Sequence, residues 1–128
     1  MNRMSVQSLN EHLNTAHDFH LIDVREMWEY EICHLPNSTL VPLSGLPRFL
    51  ADADRDLSYI FICHHGIRSA RATAFALANG FEHVFNLTGG VAAWSESIDS
   101  QSSILSTKGN RRTNSTQKTS TLEHRQSC

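Results

Sequence analysis

The residues best suited to chemistry lie in one short run, Cys63-His64-His65-Gly66-Ile67-Arg68-Ser69. An apolar run at 59–62 precedes the cysteine and is typical of a buried strand. An alanine-rich run at 70–78 follows and is typical of a helix. Loop amides and the positive end of a helix dipole favour an anion between two such elements. The anion that a cysteine supplies is its own thiolate. We therefore interpret Cys63 as a nucleophile, against the alternative of a buried structural cysteine.

Composition divides the 128 residues into a domain and a tail. Residues 1–99 contain all of the Trp, Tyr and Phe side chains and carry six Arg against twelve acidic residues, a formal net charge of −6. Residues 100–128 carry five basic residues against one acidic residue, a net charge of +4, and few large apolar side chains. We expect one domain at 1–99 and a polar, basic, disordered tail at 100–128.

Charge and cysteine content disfavour several classes of protein. An acidic domain argues against a nucleic-acid-binding face. Three cysteines, at 33, 63 and 128, are too few and odd in number for a secreted disulfide scaffold. The sequence begins without the apolar segment of a signal peptide, and no apolar run approaches the ~20 residues that span a bilayer. We expect a cytoplasmic protein, without nucleic-acid or membrane partners, in which Cys63 stays reduced.

Apolar runs and helical patterns alternate along the domain. Strands are predicted at 19–24, 39–41, 58–62 and 83–87, and helices at 8–13, 26–32, 43–51, 69–79 and 91–98. Val6 is assigned to a short first strand. Because the strands are apolar on both faces and alternate with helices, the pattern predicts an α/β fold with a parallel sheet covered on both sides.

Two features of the helices bear on packing. The stripe Ala70, Ala74 and Ala78 is expected to let the helix at 69–79 lie close to the sheet. The large aromatic side chains on helices are expected in the core; they are Trp28, Phe75 and Trp94.

Four segments, in order, resemble the motifs of single-domain rhodanese-like sulfurtransferases. Leu21-Ile22-Asp23-Val24-Arg25-Glu26 resembles the family's entry strand, and 33–38 resembles its Gly-His-Ile-Pro-Gly-Ala turn. Residues 63–69 resemble the active-site loop, and 80–94 resemble the closing Gly-Phe…Leu-x-Gly-Gly-x-x-x-Trp segment. The resemblance implies the rhodanese-like fold, a central parallel sheet covered by helices on both faces.

The turn at 33–38 departs from the family pattern, because Cys33 and Asn37 stand where glycine is common. In the entry strand, Asp23 and Arg25 are interpreted as a structural polar network.

The resemblance implies a thiosulfate sulfurtransferase-like activity. Cys63 would take a sulfane sulfur from a small donor such as thiosulfate and hold it as a persulfide. It would then pass the sulfur to a thiophilic acceptor, which is cyanide, a thiol or a protein cysteine. No cofactor is needed, because the enzyme's own sulfur carries the transferred group.

The residues after Cys63 are interpreted as the substrate-binding loop, with backbone N–H groups surrounding the sulfur. They are His64, His65, Gly66, Ile67, Arg68 and Ser69. Arg68 either contacts an anionic donor or pairs with an acid, and Ser69 is an N-cap or a donor to the sulfur. His64 and His65 are loop side chains or proton carriers; a metal site is not expected, because the paired ligand spacing of such sites is missing.

Two other functions remain open. The spacing Cys-x4-Arg is one residue shorter than the Cys-x5-Arg loop of cysteine phosphatases, which disfavours a phosphatase or an arsenate-reductase-like enzyme. A non-catalytic rhodanese-like binding or regulatory module is the other alternative, and in such modules the cysteine is often missing. Cys33 is interpreted as inert, with a resolving thiol for Cys63 as the alternative.

Overall fold

The structure is a computed structural model that describes residues 2–13 and 19–99. The predicted tail at 100–128 lies outside the described residues. Within them the strands are β1 (Arg3–Met4), β2 (Phe19–Asp23), β3 (Ser38–Leu40), β4 (Ser58–Ile62) and β5 (Val84–Leu87). The α-helices are α1 (Val6–Leu13), α2 (Met27–Ile32), α3 (Leu46–Asp52), α4 (Ile67–Ala78) and α5 (Gly90–Trp94). A 3-10 turn at Leu43–Gly45 precedes α3, and a π-helical turn at Ser95–Asp99 follows α5.

The described strands form one parallel sheet in the order β1-β5-β4-β2-β3. In its centre, β4 pairs with β2 from Phe19↔Ser58 to Asp23↔Ile62, and with β5 from Tyr59↔Val84 to Phe61↔Asn86. Ligands of open α/β sheets lie beyond the carboxyl ends of the strands. Cys63 follows β4 directly and therefore stands at that edge of the sheet.

Alternate side chains of β4 belong to two separate apolar clusters, one on each face of the sheet. Tyr59 and Phe61 pack on one face with α3 and α4, and Ile60 and Ile62 pack on the other with α1 and α5. All four side chains are almost completely buried. The sheet is thus covered on both faces, which confirms the predicted α/β class and its central parallel sheet.

The first strand and the start of the first helix differ from the prediction. Val6 begins α1, and the short first strand is Arg3–Met4 instead. Both elements still contribute apolar side chains to the core, since Met4, Val6 and Leu9 belong to one buried cluster. In the part of the chain that the structure describes, no helix has the length and apolar character needed to cross a membrane.

The predicted alanine stripe of α4 is wrong in register. The side chains that α4 buries are Ser69, Ala72, Thr73 and Ala76, whereas Ala74 and Ala78 are exposed. The reason is that Ser69 faces inward, towards the sulfur, so the buried face continues at i+3, i+4 and i+7 from that residue. The same register leaves Phe75 on the outer side and 40% exposed, so its predicted core position is also wrong.

The two tryptophans differ in burial. Trp94 is 5% exposed and packs with α1 and the sheet, as predicted. Trp28 is 64% exposed, so its predicted core position is wrong. The cause lies in α2, which buries none of its residues and is attached through polar side chains instead.

The start of α5 packs against the backbone of the loop after β4. Val91 N–H donates to the Cys63 carbonyl (2.9 Å) and Ala92 N–H to the His64 carbonyl (3.0 Å). Gly90 precedes these two residues with φ +58°, and a Cβ there would lie 2.5 Å from the His64 carbonyl oxygen and would overlap that of Cys63. Glycine is therefore required for this contact.

We expect Gly90→Ala to lower the free energy of unfolding by about 1–3 kcal/mol, because the backbone must move apart and a non-glycine residue must adopt positive φ. Chemical denaturation measures the effect. Gly45→Ala is the matched control, since a Cβ at Gly45 meets nothing within 4 Å. Equal stability of the two variants would contradict the close contact at Gly90.

Candidate active site

Cys63 lies at the carboxyl end of β4 and is 1% exposed. It is a free cysteine. Its carbonyl is held by α5, and the carbonyl of Ile62, one residue earlier, accepts the N–H of Val24 (2.8 Å). The backbone before and at the cysteine is thus fixed by the residue that follows β2 and by the start of α5.

Backbone amides of the following loop point at the sulfur. The N–H groups of Gly66 (3.1 Å) and Ser69 (3.3 Å) donate to Cys63 Sγ, and Ser69 Oγ lies 3.3 Å from the same atom. Gly66 has φ +102° and precedes α4, so the chain turns sharply enough for both amides to reach one atom. This arrangement can stabilise a sulfur anion without supplying an acidic proton.

Asn86 completes the site, and sequence reasoning missed it. Its side chain lies in the middle of β5 and is 7% exposed. Its Nδ2 donates to the Gly66 carbonyl (3.2 Å), and its Oδ1 accepts the Ser69 hydroxyl (2.5 Å). The signal in the sequence was an amide between two apolar residues of a buried strand, since a buried polar group needs a partner.

Asp23 and Arg25 form the structural network predicted at the end of the sheet. Their side chains are 0% and 3% exposed, and the carboxylate accepts both Arg25 Nε and Nη2 at 2.9 Å. Arg25 Nη2 also donates to the Cys33 carbonyl (2.7 Å). Arg25 thereby connects the carboxyl end of β2 to the end of α2.

Arg68 pairs with an acid. Its two terminal nitrogens donate to Glu29 on α2, at 2.7 Å and 2.9 Å. The hydrogen bond to this guanidinium is the main reason why the pKa of Glu29 falls from 4.5 to about 2. This bidentate pair corresponds to one of the two readings of Arg68; contact of Arg68 with a donor stays a prediction.

His64, His65 and Ile67 point their side chains outward. The two imidazoles are edge-to-face, with ring centres 4.2 Å apart. The pKa of His64 lies below 6.5, because partial burial disfavours its charged form and because His65 and Arg25 lie near it. Among the described residues, no group of three His, Cys, Asp or Glu side chains is arranged to hold a metal ion.

A groove of about 250 Å³ opens beside this loop. Its lining residues are Arg25, Trp28, Glu29, Ile32, Cys33 and His64. Trp28 and Ile32 are 64% and 62% exposed, one helical turn apart on the outer side of α2. The groove offers a largely apolar approach to the residues next to Cys63.

Comparison with known proteins agrees with this geometry. The sequence model of the rhodanese-like domain matches residues 5–97. The chain belongs to the rhodanese-like family. It is similar to the thiosulfate sulfurtransferase GlpE of Vibrio cholerae (strain O395), with 31% identity over 59% of this chain and 71% of that protein. It is also similar to a sulfurtransferase of Allochromatium vinosum, with 29% identity over 73% of this chain and 88% of the relative.

Solved rhodanese-like structures show the same architecture. A rhodanese-like domain protein of Staphylococcus aureus matches with a TM-score of 0.69 and 29% identity, over 73% of this chain and 91% of that one. A rhodanese-related protein of Thermoplasma volcanium matches with a TM-score of 0.69 and 30% identity, over 77% and 94%. The rhodanese-like fold expected from the sequence motifs is confirmed.

The two departures from the family's turn have different structural consequences. Asn37 has φ +64°, a left-handed conformation that asparagine tolerates better than most residues. Cys33 has φ −168° and ψ 153°, an extended conformation open to any residue. The side chain at Cys33 therefore causes no backbone strain.

The pair between Glu29 and Arg68 predicts a pH dependence of stability. The pKa of Glu29 is lower in the folded protein than its ordinary 4.5, so its contribution is fully present above that pH and is lost as the pH falls towards 2. Glu29→Gln removes this contribution. Between about pH 5 and about pH 3, we expect the unfolding free energy of wild type to fall by up to about 1 kcal/mol more than that of the variant, because the pair is partly exposed.

Chemical denaturation at the two pH values measures this difference. Glu31→Gln is the matched control, since Glu31 is an exposed glutamate on the same helix. The ion pair would be shown to contribute nothing if Glu29→Gln and Glu31→Gln lost stability in parallel on acidification.

Proposed function

We propose that this rhodanese-like protein is a sulfurtransferase that carries a sulfane sulfur on Cys63. The donor is a small anion such as thiosulfate, and the acceptor is cyanide, a thiol or a protein cysteine. The observation that carries the proposal is the convergence of the Gly66 and Ser69 amides on Cys63 Sγ, at 3.1 Å and 3.3 Å. The names of relatives from Vibrio cholerae and Allochromatium vinosum support the same reaction class.

The reaction has two steps. In the first, the Cys63 thiolate attacks the outer sulfur of thiosulfate, a new S–S bond forms, and sulfite leaves with the electrons of the broken S–S bond. In the second, cyanide or a thiolate attacks the outer sulfur of the persulfide, and the electron pair returns to Cys63. The amides of the loop stabilise negative charge on sulfur in both steps.

Loop length supports sulfur transfer over dephosphorylation. Cys63 and Arg68 have the spacing Cys-x4-Arg, and a shorter ring of amides fits one sulfur atom better than a tetrahedral oxyanion. Arg68 is also engaged by both oxygens of Glu29. An arginine that clamps a phosphate would have to leave this partner.

The groove between α2 and the loop is the proposed approach for the acceptor. Its wall carries the exposed apolar side chains of Trp28 and Ile32, together with His64, the neighbour of Cys63. We assign the protein to a reducing compartment, the cytoplasm, because the mechanism requires Cys63 as a thiol.

Loading of the protein with sulfur tests the function. We expect the intact mass to rise by one sulfur after incubation with thiosulfate, and cyanide to reverse the gain with release of thiocyanate. Cys63→Ala should fold normally and show no gain, since the carrier atom is missing. Mass spectrometry of the intact protein measures each state.

Cys128→Ala is the control, because Cys128 is not part of the loop 63–69 in the sequence, and it should load like wild type. Failure of wild type to load would overturn the proposal and favour a non-catalytic binding module. Turnover of an aryl phosphate that depends on Cys63 would instead favour the phosphatase alternative.

A further inference from the structure

Asn86 contacts both residues whose amides donate to the sulfur. Nδ2 donates to the Gly66 carbonyl (3.2 Å), and Oδ1 lies 2.5 Å from Ser69 Oγ. The residues are 20 and 17 positions apart in sequence, so these bonds join β5 to the loop across the sheet. The amide is buried, and its two ends therefore depend on these partners.

The orientation of the Asn86 amide follows from its partners. A carbonyl oxygen only accepts hydrogen bonds, so the Gly66 carbonyl must face the NH2 group of the amide. The opposite end, Oδ1, then faces the Ser69 hydroxyl and also only accepts. A serine hydroxyl has one proton, and because Oδ1 can only accept, the hydrogen bond between them directs that proton at Asn86.

The direction of the Ser69 hydroxyl proton determines whether the hydroxyl donates a hydrogen bond to the sulfur or accepts one from it. Ser69 Oγ lies 3.3 Å from Cys63 Sγ, but its proton points at Asn86. The sulfur therefore faces a lone pair of the hydroxyl, which can accept the S–H of the thiol. Donation to a sulfur anion comes from the backbone N–H groups of Gly66 and Ser69.

We propose that Asn86 is a positioning residue that holds the Ser69 hydroxyl proton away from Cys63. The inference rests on the proposed function, in which Cys63 is the nucleophile. A third donor would stabilise the thiolate further, and a more stable thiolate is a weaker nucleophile. Because Asn86 accepts the hydroxyl proton of Ser69, the donors to the sulfur are the two backbone amides. The Cys63 thiolate thereby stays nucleophilic.

The pH dependence of Cys63 alkylation tests this role. We expect Ser69→Ala alone to leave the midpoint of alkylation unchanged or to move it to lower pH, because the hydroxyl does not donate to the sulfur. In an Asn86→Ala background the hydroxyl is free to donate. There, Ser69→Ala should raise the midpoint by about half a pH unit or more, the scale of one lost hydrogen bond.

The rate of alkylation by iodoacetamide is measured by mass spectrometry of the peptide that contains Cys63. Asn86→Leu replaces Asn86→Ala if the smaller residue prevents folding, since it fills the site and removes both polar atoms. Asn86→Asp keeps the acceptor and removes the amide donor to the Gly66 carbonyl: its carboxyl group still accepts the hydroxyl, so adding Ser69→Ala should again give no rise.

Thr73→Val is the matched control for a lost buried hydrogen bond. Thr73 Oγ1 donates to the carbonyl of Ser69 (2.8 Å) rather than to its hydroxyl. In this background, Ser69→Ala should behave as it does in wild type. A purely structural role of Asn86 predicts that Ser69→Ala has the same effect in the wild-type and Asn86→Ala backgrounds, and that result would overturn the proposal.

A rise of the midpoint on Ser69→Ala alone would also overturn it, because the hydroxyl would then donate to the sulfur in wild type. Alkylation needs neither a sulfur donor nor an acceptor. The positioning role and the sulfurtransferase activity can therefore fail independently, the first in the alkylation cycle and the second in the loading experiment with thiosulfate.

Discussion

The site depends on the hydrogen bonds that aim the Gly66 and Ser69 amides at Cys63 Sγ. Neither amide is placed by the loop alone. Asn86 holds the loop from β5, and the start of α5 approaches its backbone closely enough to require Gly90. These contacts join the loop after β4 to β5 and to α5, so the amides face the sulfur only when β5 and α5 have packed beside the loop.

The buried sulfur also explains the polar network around it. A buried polar group is costly unless it is hydrogen-bonded, and a partly satisfied network is worse than an apolar core. The side chain of Ser69 is satisfied by Asn86, and the amide of Asn86 is satisfied at both ends. The pair of Asp23 and Arg25 meets the same requirement at the next strand, where both charges are buried and bonded to each other.

Sequence reasoning reached the features that are local in the chain. The strand before Cys63, the helix after it and the order of the elements follow from periodicity, and four motifs identified the family. Asn86 was missed because its partners are 17 and 20 residues away. The buried face of α4 was predicted wrongly because Ser69 sets it. Ser69 faces inward, towards the sulfur of Cys63, and this contact does not follow from the spacing of the alanines. Trp28 was assigned to the core because aromatic residues usually are buried, and only the attachment of α2 shows otherwise.

Helix α2 is attached to the rest of the domain differently from most surface helices. A helix of six residues is too short to be stable alone, and burial of an apolar face normally holds it. Here α2 is held by polar contacts: Glu29 binds Arg68, and the Tyr30 hydroxyl donates to the Ser38 carbonyl (2.5 Å). Because polar groups carry the attachment, Trp28 and Ile32 remain on the outside, where they line the groove beside the loop. The ion pair of Glu29 with Arg68 also joins the wall of the groove to α4. Because α4 contains Ser69 as well, the same helix positions both this wall and the Ser69 amide that faces the sulfur.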